Sequence, residues 1–185
     1  MSLEITPLAL PEVKVIRLRK IADNRGFFSE TYNRKVFNHH GIDAEFVQDN
    51  HSYSALAGTV RGLHFQIPPF TQDKLIRVSR GRILDVAVDI RRDSPDFGKW
   101  VVTELSAEIW NQLFVPAGFA HAYCTLEPDT EVAYKVTNFH SPPHERGIRW
   151  NDPDLNIPWP FDDRQVLLSE RDRALPFFRD QTDTF

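Results

Sequence analysis

His64, His121, Lys74 and Tyr134 are the side chains of this sequence best suited to moving protons. An imidazole takes up and releases a proton near neutral pH, and a lysine or tyrosine beside it can supply positive charge or a proton. His64 lies in Thr59-Val60-Arg61-Gly62-Leu63-His64-Phe65-Gln66-Ile67-Pro68-Pro69, a β-prone run closed by two prolines. In an extended strand Leu63 and Phe65 point one way and His64 the other, beside Gly62 and Gln66. The face of His64 is therefore small and polar. For this stretch alone, a reactive histidine and a satisfied structural one fit equally well. Strict alternation puts Arg61 on the Leu63 face; for Arg61 and His64 to share a site, Gly62 must sit at a bulge or kink that re-aims the chain.

The elements that must position these groups are mostly short strands. Val13 to Leu18 reads as the opening strand. Asp23-Asn24-Arg25-Gly26 is a turn signal, and Phe27 to Tyr32 reads as an aromatic-rich strand carrying Glu30. Arg34 to His40 fits a short helix that stops at Gly41. Phe46 to Ser52 ends a strand in polar residues, which form either a solvated loop or the hydrogen-bonding wall of a pocket. Further strands are expected over Lys74–Ser79, Ile83–Ile90, Trp100–Leu105, Gln112–Val115 and Thr130–Thr137. Ile83–Ile90 alternates cleanly, with Asp85, Ala87 and Asp89 on one face and Leu84, Val86, Val88 and Ile90 on the other. The tail from His140 is rich in proline and charge, and a helix start is expected at Ser169-Glu170-Arg171-Asp172. Evenly spaced strands with helix only at the margins indicate an all-β sandwich or barrel, and a jelly roll with short peripheral helices fits the size.

Composition narrows the function classes. A chain of 185 residues, 41% hydrophobic, is read as one domain over residues 1–185, with a C-terminal extension from about residue 161. A net charge of −4 argues against general nucleic-acid binding, though not against a local basic site for a phosphorylated metabolite. The single cysteine, Cys124, excludes an internal disulfide and points to a reducing cytoplasm. No apolar run reaches membrane-spanning length, so no membrane partner is expected.

Pro116, Gly118 and His121 match the Pro-x-Gly-x-x-His second motif of the cupin jelly roll, in which the glycine makes the turn and the histidine faces the barrel. Metal-binding cupins bring His-x-His and a glutamate from the first motif. Here Phe65 and Gln66 follow His64, and the first glutamate after it is Glu104. Two histidines without a matching carboxylate fall short of a two-His-one-carboxylate centre, so the expectation is an acid/base site without metal or cofactor.

Longer motifs carry a more specific resemblance. Arg25-Gly26-Phe27-Phe28, Gln48-Asp49-Asn50, Arg61 to Gln66, Lys74-Leu75, Asp85 to Asp89, Gly118 to His121 and Trp150-Asn151-Asp152 together resemble the dTDP-4-dehydrorhamnose 3,5-epimerase family, from about Val15 to Asp172. The resemblance implies a cupin-type enzyme of dTDP-L-rhamnose biosynthesis. It inverts carbons 3 and 5 of a dTDP-4-keto-6-deoxyhexose, each carbon flanking the ketone, through an enolate. It further implies His64 as base, Asp172 as its carboxylate partner, Tyr134 as the acid on the opposite face, and Lys74 with His121 near the enolate oxygen. Arg61 would pair with the diphosphate, and Gln48, Asp49 and Asn50 would contact nucleoside or sugar. Glu145 and Arg171 would contribute to binding. Arg25 and Glu30 would reach the site of a neighbouring subunit in a homodimer, with Phe27 or Phe28 stacking on thymine.

Two positions depart from the family pattern: His140 stands where a second tyrosine is common, and Arg171 where lysine is common. The first touches the sugar pocket. Two other readings therefore stand beside the 3,5-epimerase: an isomerase that inverts carbon 3 alone, and a sugar-nucleotide binder without catalysis.

Overall fold

The computed structural model describes residues 3–183 and 185. The first strands are β1 (Glu4–Pro7), β2 (Lys14–Arg17), β3 (Ile21–Asp23) and β4 (Gly26–Phe28), followed by helix α1 (Arg34–His39). The central strands are β5 (Gln48–Ser54), β6 (Val60–Gln66), β7 (Lys74–Arg80), β8 (Arg82–Asp89) and β9 (Trp100–Ser106). Then come β10 (Asn111–Val115), β11 (Phe119–Thr125), β12 (Thr130–Val136), β13 (Glu145–Gly147) and helix α2 (Glu170–Arg173).

Two antiparallel sheets form the jelly roll, in the orders β1-β2-β10-β7-β12-β5 and β13-β6-β11-β8-β9. Their inner faces meet in a core that includes Ile76, Val78, Ile83, Ala87, Leu105, Leu113 and Val132. The opposite face of β8 is also dry. Val86 and Val88 pack with Leu63, Phe65 and Ile148 under Leu155, Ile157 and Phe178 of the C-terminal segment. Burying a side chain such as Val86 or Val88 contributes about 1.5–3 kcal/mol, so this segment is a structural layer, and it also delivers α2 to the site. Helix α1 covers the other sheet, with Phe37 buried against Ile16, Leu75 and Phe114. Asn33 caps it by accepting from the Lys35 and Val36 amides, as a short polar side chain does at a helix start.

Four strands, β1, β3, β11 and β13, lie outside the strands read from sequence; all but β11 are only three or four residues long. The aromatic strand expected over Phe27–Tyr32 is corrected. Only Gly26–Phe28 is extended in a ladder, paired with β3 in a two-stranded ribbon, because the residues after Phe28 meet no partner strand. Phe27 and Phe28 on this ribbon are exposed.

Gly62 does what alternation required of it. Between His121 and Tyr123 on β11, β6 advances from His64 to Arg61, one residue more than its partner, which is a bulge. Gly62 sits there at φ +119°, and a Cβ would lie 2.5 Å from the His121 carbonyl oxygen. No other residue fits. Gly118 makes the turn before β11 at φ +89°, leading directly into the strand that carries His121.

Candidate active site

A cavity of about 660 Å³ opens between the sheets at the end where β5, β6, β7, β11 and β12 converge. His64 enters it from β6, and its Nε2 lies 2.6 Å from Asp172 Oδ1. A carboxylate only accepts, so Nε2 carries the proton of this bond and Nδ1 keeps its lone pair. Asp172 reaches the histidine across 108 residues of sequence because α2 begins beside it. The Ser169 hydroxyl caps that helix by accepting from the Asp172 amide at 3.0 Å. Burial pushes the Asp172 carboxyl up, but the hydrogen bond and charge of His64, the Ser169 bond and Arg171 outweigh it and hold the group below its usual range. Asp172 is thus an anion that fixes the tautomer and orientation of the imidazole.

Tyr134 comes from β12, on the sheet opposite His64. Burial raises its phenol, Arg61 pulls it down and Glu145 pushes it up; the balance is above the usual value, so it holds its proton at neutral pH. Lys74 of β7 is buried and donates to the His64 carbonyl oxygen at 3.1 Å. Desolvation lowers its pKa to about 8, against the opposing pull of Asp85 and Glu145. His121 lies directly opposite His64 across β6 and β11, and its Nε2 is 2.8 Å from Asp85 Oδ1. The cavity therefore has a histidine–carboxylate pair and a protonated phenol on facing walls, with a buried amine between. That is the equipment for taking a proton from one face of a molecule and returning one to the other, with a cation to stabilise the anion formed between.

The rest of the wall is polar. Gln48, Asn50 and Ser52 of β5 point in, as every second residue of a strand does. Arg61 reaches the rim and donates to the Tyr53 carbonyl oxygen at 3.1 Å. Glu145 is held by His140 Nε2 at 2.9 Å and by Arg171 at 2.7 Å. Burial works to raise the Glu145 carboxyl, but Arg171 and His140 prevail and lower it.

The family model for dTDP-4-dehydrorhamnose 3,5-epimerase matches residues 7–180. The chain belongs to this family. A dTDP-4-dehydrorhamnose 3,5-epimerase of Sinorhizobium fredii is 53% identical over 91% of this chain and 86% of its own. Another, from Pseudomonas aeruginosa, is 50% identical over 96% of this chain and 97% of its own. The crystal structure of dTDP-4-dehydrorhamnose 3,5-epimerase from Bacillus anthracis with TDP and PPi bound superposes with a TM-score of 0.92 at 49% identity, covering 95% of this chain and 99% of that one. The jelly roll is accordingly of the cupin type, and the protein is an isomerase of the epimerase class.

For this epimerase the structure gathers His64, Lys74, Tyr134, Asp172, Gln48, Asn50, Arg61, His121, Glu145 and Arg171 around one cavity. Asp49 is a correction. It alternates to the outer face of β5, where it meets Lys135 Nζ at 2.7 Å and borders a separate cleft of about 290 Å³. Arg25 and Glu30 also lie away from the chain's own cavity. Arg25 is an exposed side chain paired with Asp23, and Glu30 accepts from Asn33 Nδ2 at 2.7 Å. Among the described residues, no three His, Cys, Asp or Glu side chains converge as a metal-binding group.

Two cavity residues, and one behind the cavity wall, were given no role in the sequence. Tyr123 is buried with its hydroxyl 2.7 Å from Ser52 Oγ. Gln66 donates to the Phe70 and Phe139 carbonyl oxygens and accepts from the Ser141 amide, tying down the loop that presents His140. Asp85, fully buried, has one carboxylate oxygen on His121 and the other without a partner. An unpaired buried acceptor costs about 1–3 kcal/mol. The signal was available: a carboxylate alternating with Leu84 and Val86 on a strand buried on both faces.

Proposed function

We propose that this cavity converts dTDP-4-dehydro-6-deoxy-D-glucose to dTDP-4-dehydro-L-rhamnose by inverting carbons 3 and 5, without metal or cofactor. The observation that carries this is the His64–Asp172 pair on one wall facing Tyr134 on the other. His64 Nδ1 removes the proton beside the ketone. The electron pair moves onto the ketone oxygen, where the Lys74 ammonium and His121 stabilise the enolate in a water-poor setting. Tyr134 then delivers its proton to carbon from the far side. Arg61 and Arg171 supply the positive charge that suits a diphosphate, Arg61 with the forked geometry phosphate oxygens prefer. Gln48, Asn50 and Glu145 offer acceptors and donors for the sugar and base.

Incubation with dTDP-4-keto-6-deoxyglucose in deuterated water, followed by NMR, tests this. Deuterium is expected at both carbons 3 and 5, with turnover unchanged by chelators. Exchange at carbon 3 alone would identify a monoepimerase, and no exchange at all would identify a binding protein.

The site is completed, on this reading, by a second copy of the chain. Ile21, Phe27 and Phe28 expose apolar surface on the β3–β4 ribbon next to Arg25, the composition of a surface that is covered in an assembly. Co-expressing Arg25→Ala and His64→Ala subunits is expected to restore activity, since a mixed dimer holds one site with both groups intact. With random pairing roughly a quarter of all sites are restored. A mixture as inactive as either parent would rule out shared sites.

A further inference from the structure

Asp85 touches nothing that reacts: it is a fully buried carboxylate that lies behind the cavity wall, against His121. It projects from β8 with 0% exposure. Oδ1 receives the His121 Nε2 hydrogen bond at 2.8 Å, and Oδ2 has no partner among the described residues. Lys74, across the barrel on β7, has the complementary oddity. Among the described residues its buried ammonium makes one hydrogen bond, to the His64 carbonyl oxygen, and no ion pair. A buried cation without a counter-charge loses its proton.

Other charged and titratable groups share this part of the cavity. Glu145 of β13 is engaged by His140 and Arg171, so most of its charge is already offset. His64 of β6 is paired with Asp172. Tyr123 of β11 and Tyr134 of β12 are neutral phenols raised by burial, and Arg61 lies near both of them. Asp85 is the remaining carboxyl group, hydrogen-bonded to His121. We propose that Asp85 is a positioning residue for the reaction: the counter-charge that keeps the Lys74 ammonium intact beside the ketone, and the anchor that turns His121 next to it. This rests on the acid/base reading above and extends it to a residue outside that reaction scheme.

Electrostatics supports the pairing. Among the charges that hold the Lys74 proton in place against desolvation, Asp85 exerts the largest pull and Glu145 the next. Burial in turn holds the Asp85 carboxyl above its usual range, against the opposing pull of His121 and Lys74. The sign of the effect follows. Removing the Asp85 charge lowers the Lys74 pKa further below about 8, so the ammonium is lost at a lower pH. A reaction that needs this cation then fails from the alkaline side inward.

The test is the kcat–pH profile of the full chain carrying Asp85→Asn, whose amide oxygen still accepts from His121. The alkaline limb is expected to move down by about one unit or more, which is about a tenfold loss of kcat above pH 8. The deficit at pH 6 should be much smaller, with affinity for dTDP unchanged. An unmoved limb, or an equal loss at every pH, overturns the proposal. NMR of the wild-type protein with 13C-labelled lysine and aspartate gives an arm independent of the variant's folding. Asp85 is expected to be ionised from pH 6 to 8 while Lys74 titrates; an Asp85 protonated across that range sinks the idea. Wild-type protein that fails to exchange substrate hydrogens would instead bring down the acid/base reading itself.

Discussion

His64→Asn is expected to lower epimerisation by at least about 10²–10⁴-fold, the usual contribution of a positioned general base. The variant keeps a polar side chain of similar size beside Asp172, so the cavity wall and the cap at Ser169 are preserved. What it loses is the only lone pair that the Asp172 bond leaves pointing free. With no base, no proton leaves carbon 3 or carbon 5, and deuterium exchange should fall together with product formation. Asparagine can donate to Asp172 but cannot accept a proton from carbon at neutral pH. Retention of exchange with loss of inversion would mean that another group deprotonates the substrate.

How far the sequence reached depended on the range of the interaction involved. Period-two alternation placed both faces of β8 and the orientation of His64, because a strand's side-chain directions are set locally. The same rule excludes Asp49: its neighbours Gln48 and Asn50 face the cavity, so Asp49 must face away. The motif resemblance grouped the three together and alternation divides them. Arg61 shows the rule working through an exception, since only a bulge at Gly62 could bring it round. By contrast, nothing local links His64 to Asp172, 108 residues later. That pair was legible only through resemblance, because it depends on the C-terminal segment packing over the outer face of a sheet. β13 was invisible for a related reason: three residues, Glu145–Gly147, become a strand only because β6 offers an open edge. Phe27–Tyr32 failed in the opposite sense, having strand propensity but no edge to join past Phe28.

Tyr134→Phe separates deprotonation from inversion, and its expected result is unlike that of His64→Asn. Phenylalanine fills the same space against the core, so the wall of β12 should hold its shape. The lost hydroxyl is the only proton on that wall aimed, on the proposed reading, at the far face of the sugar. Because burial raises the Tyr134 phenol, it is a protonated donor throughout the working range and not an alternative base. In the variant His64 still takes the proton and Lys74 still holds the enolate. The enolate can then be reprotonated only by His64, on the face it came from, after the imidazole has traded its proton with solvent. Substrate recovered from deuterated water should carry deuterium with its configuration retained. Inverted product should fall by about 10²-fold or more, as for loss of a general acid. If Tyr134→Phe instead stops exchange as completely as His64→Asn, the tyrosine is needed before the proton leaves. The hydroxyl would then have to act on the enolate oxygen alongside Lys74, and the donor to the far face would have to be sought elsewhere in the cavity.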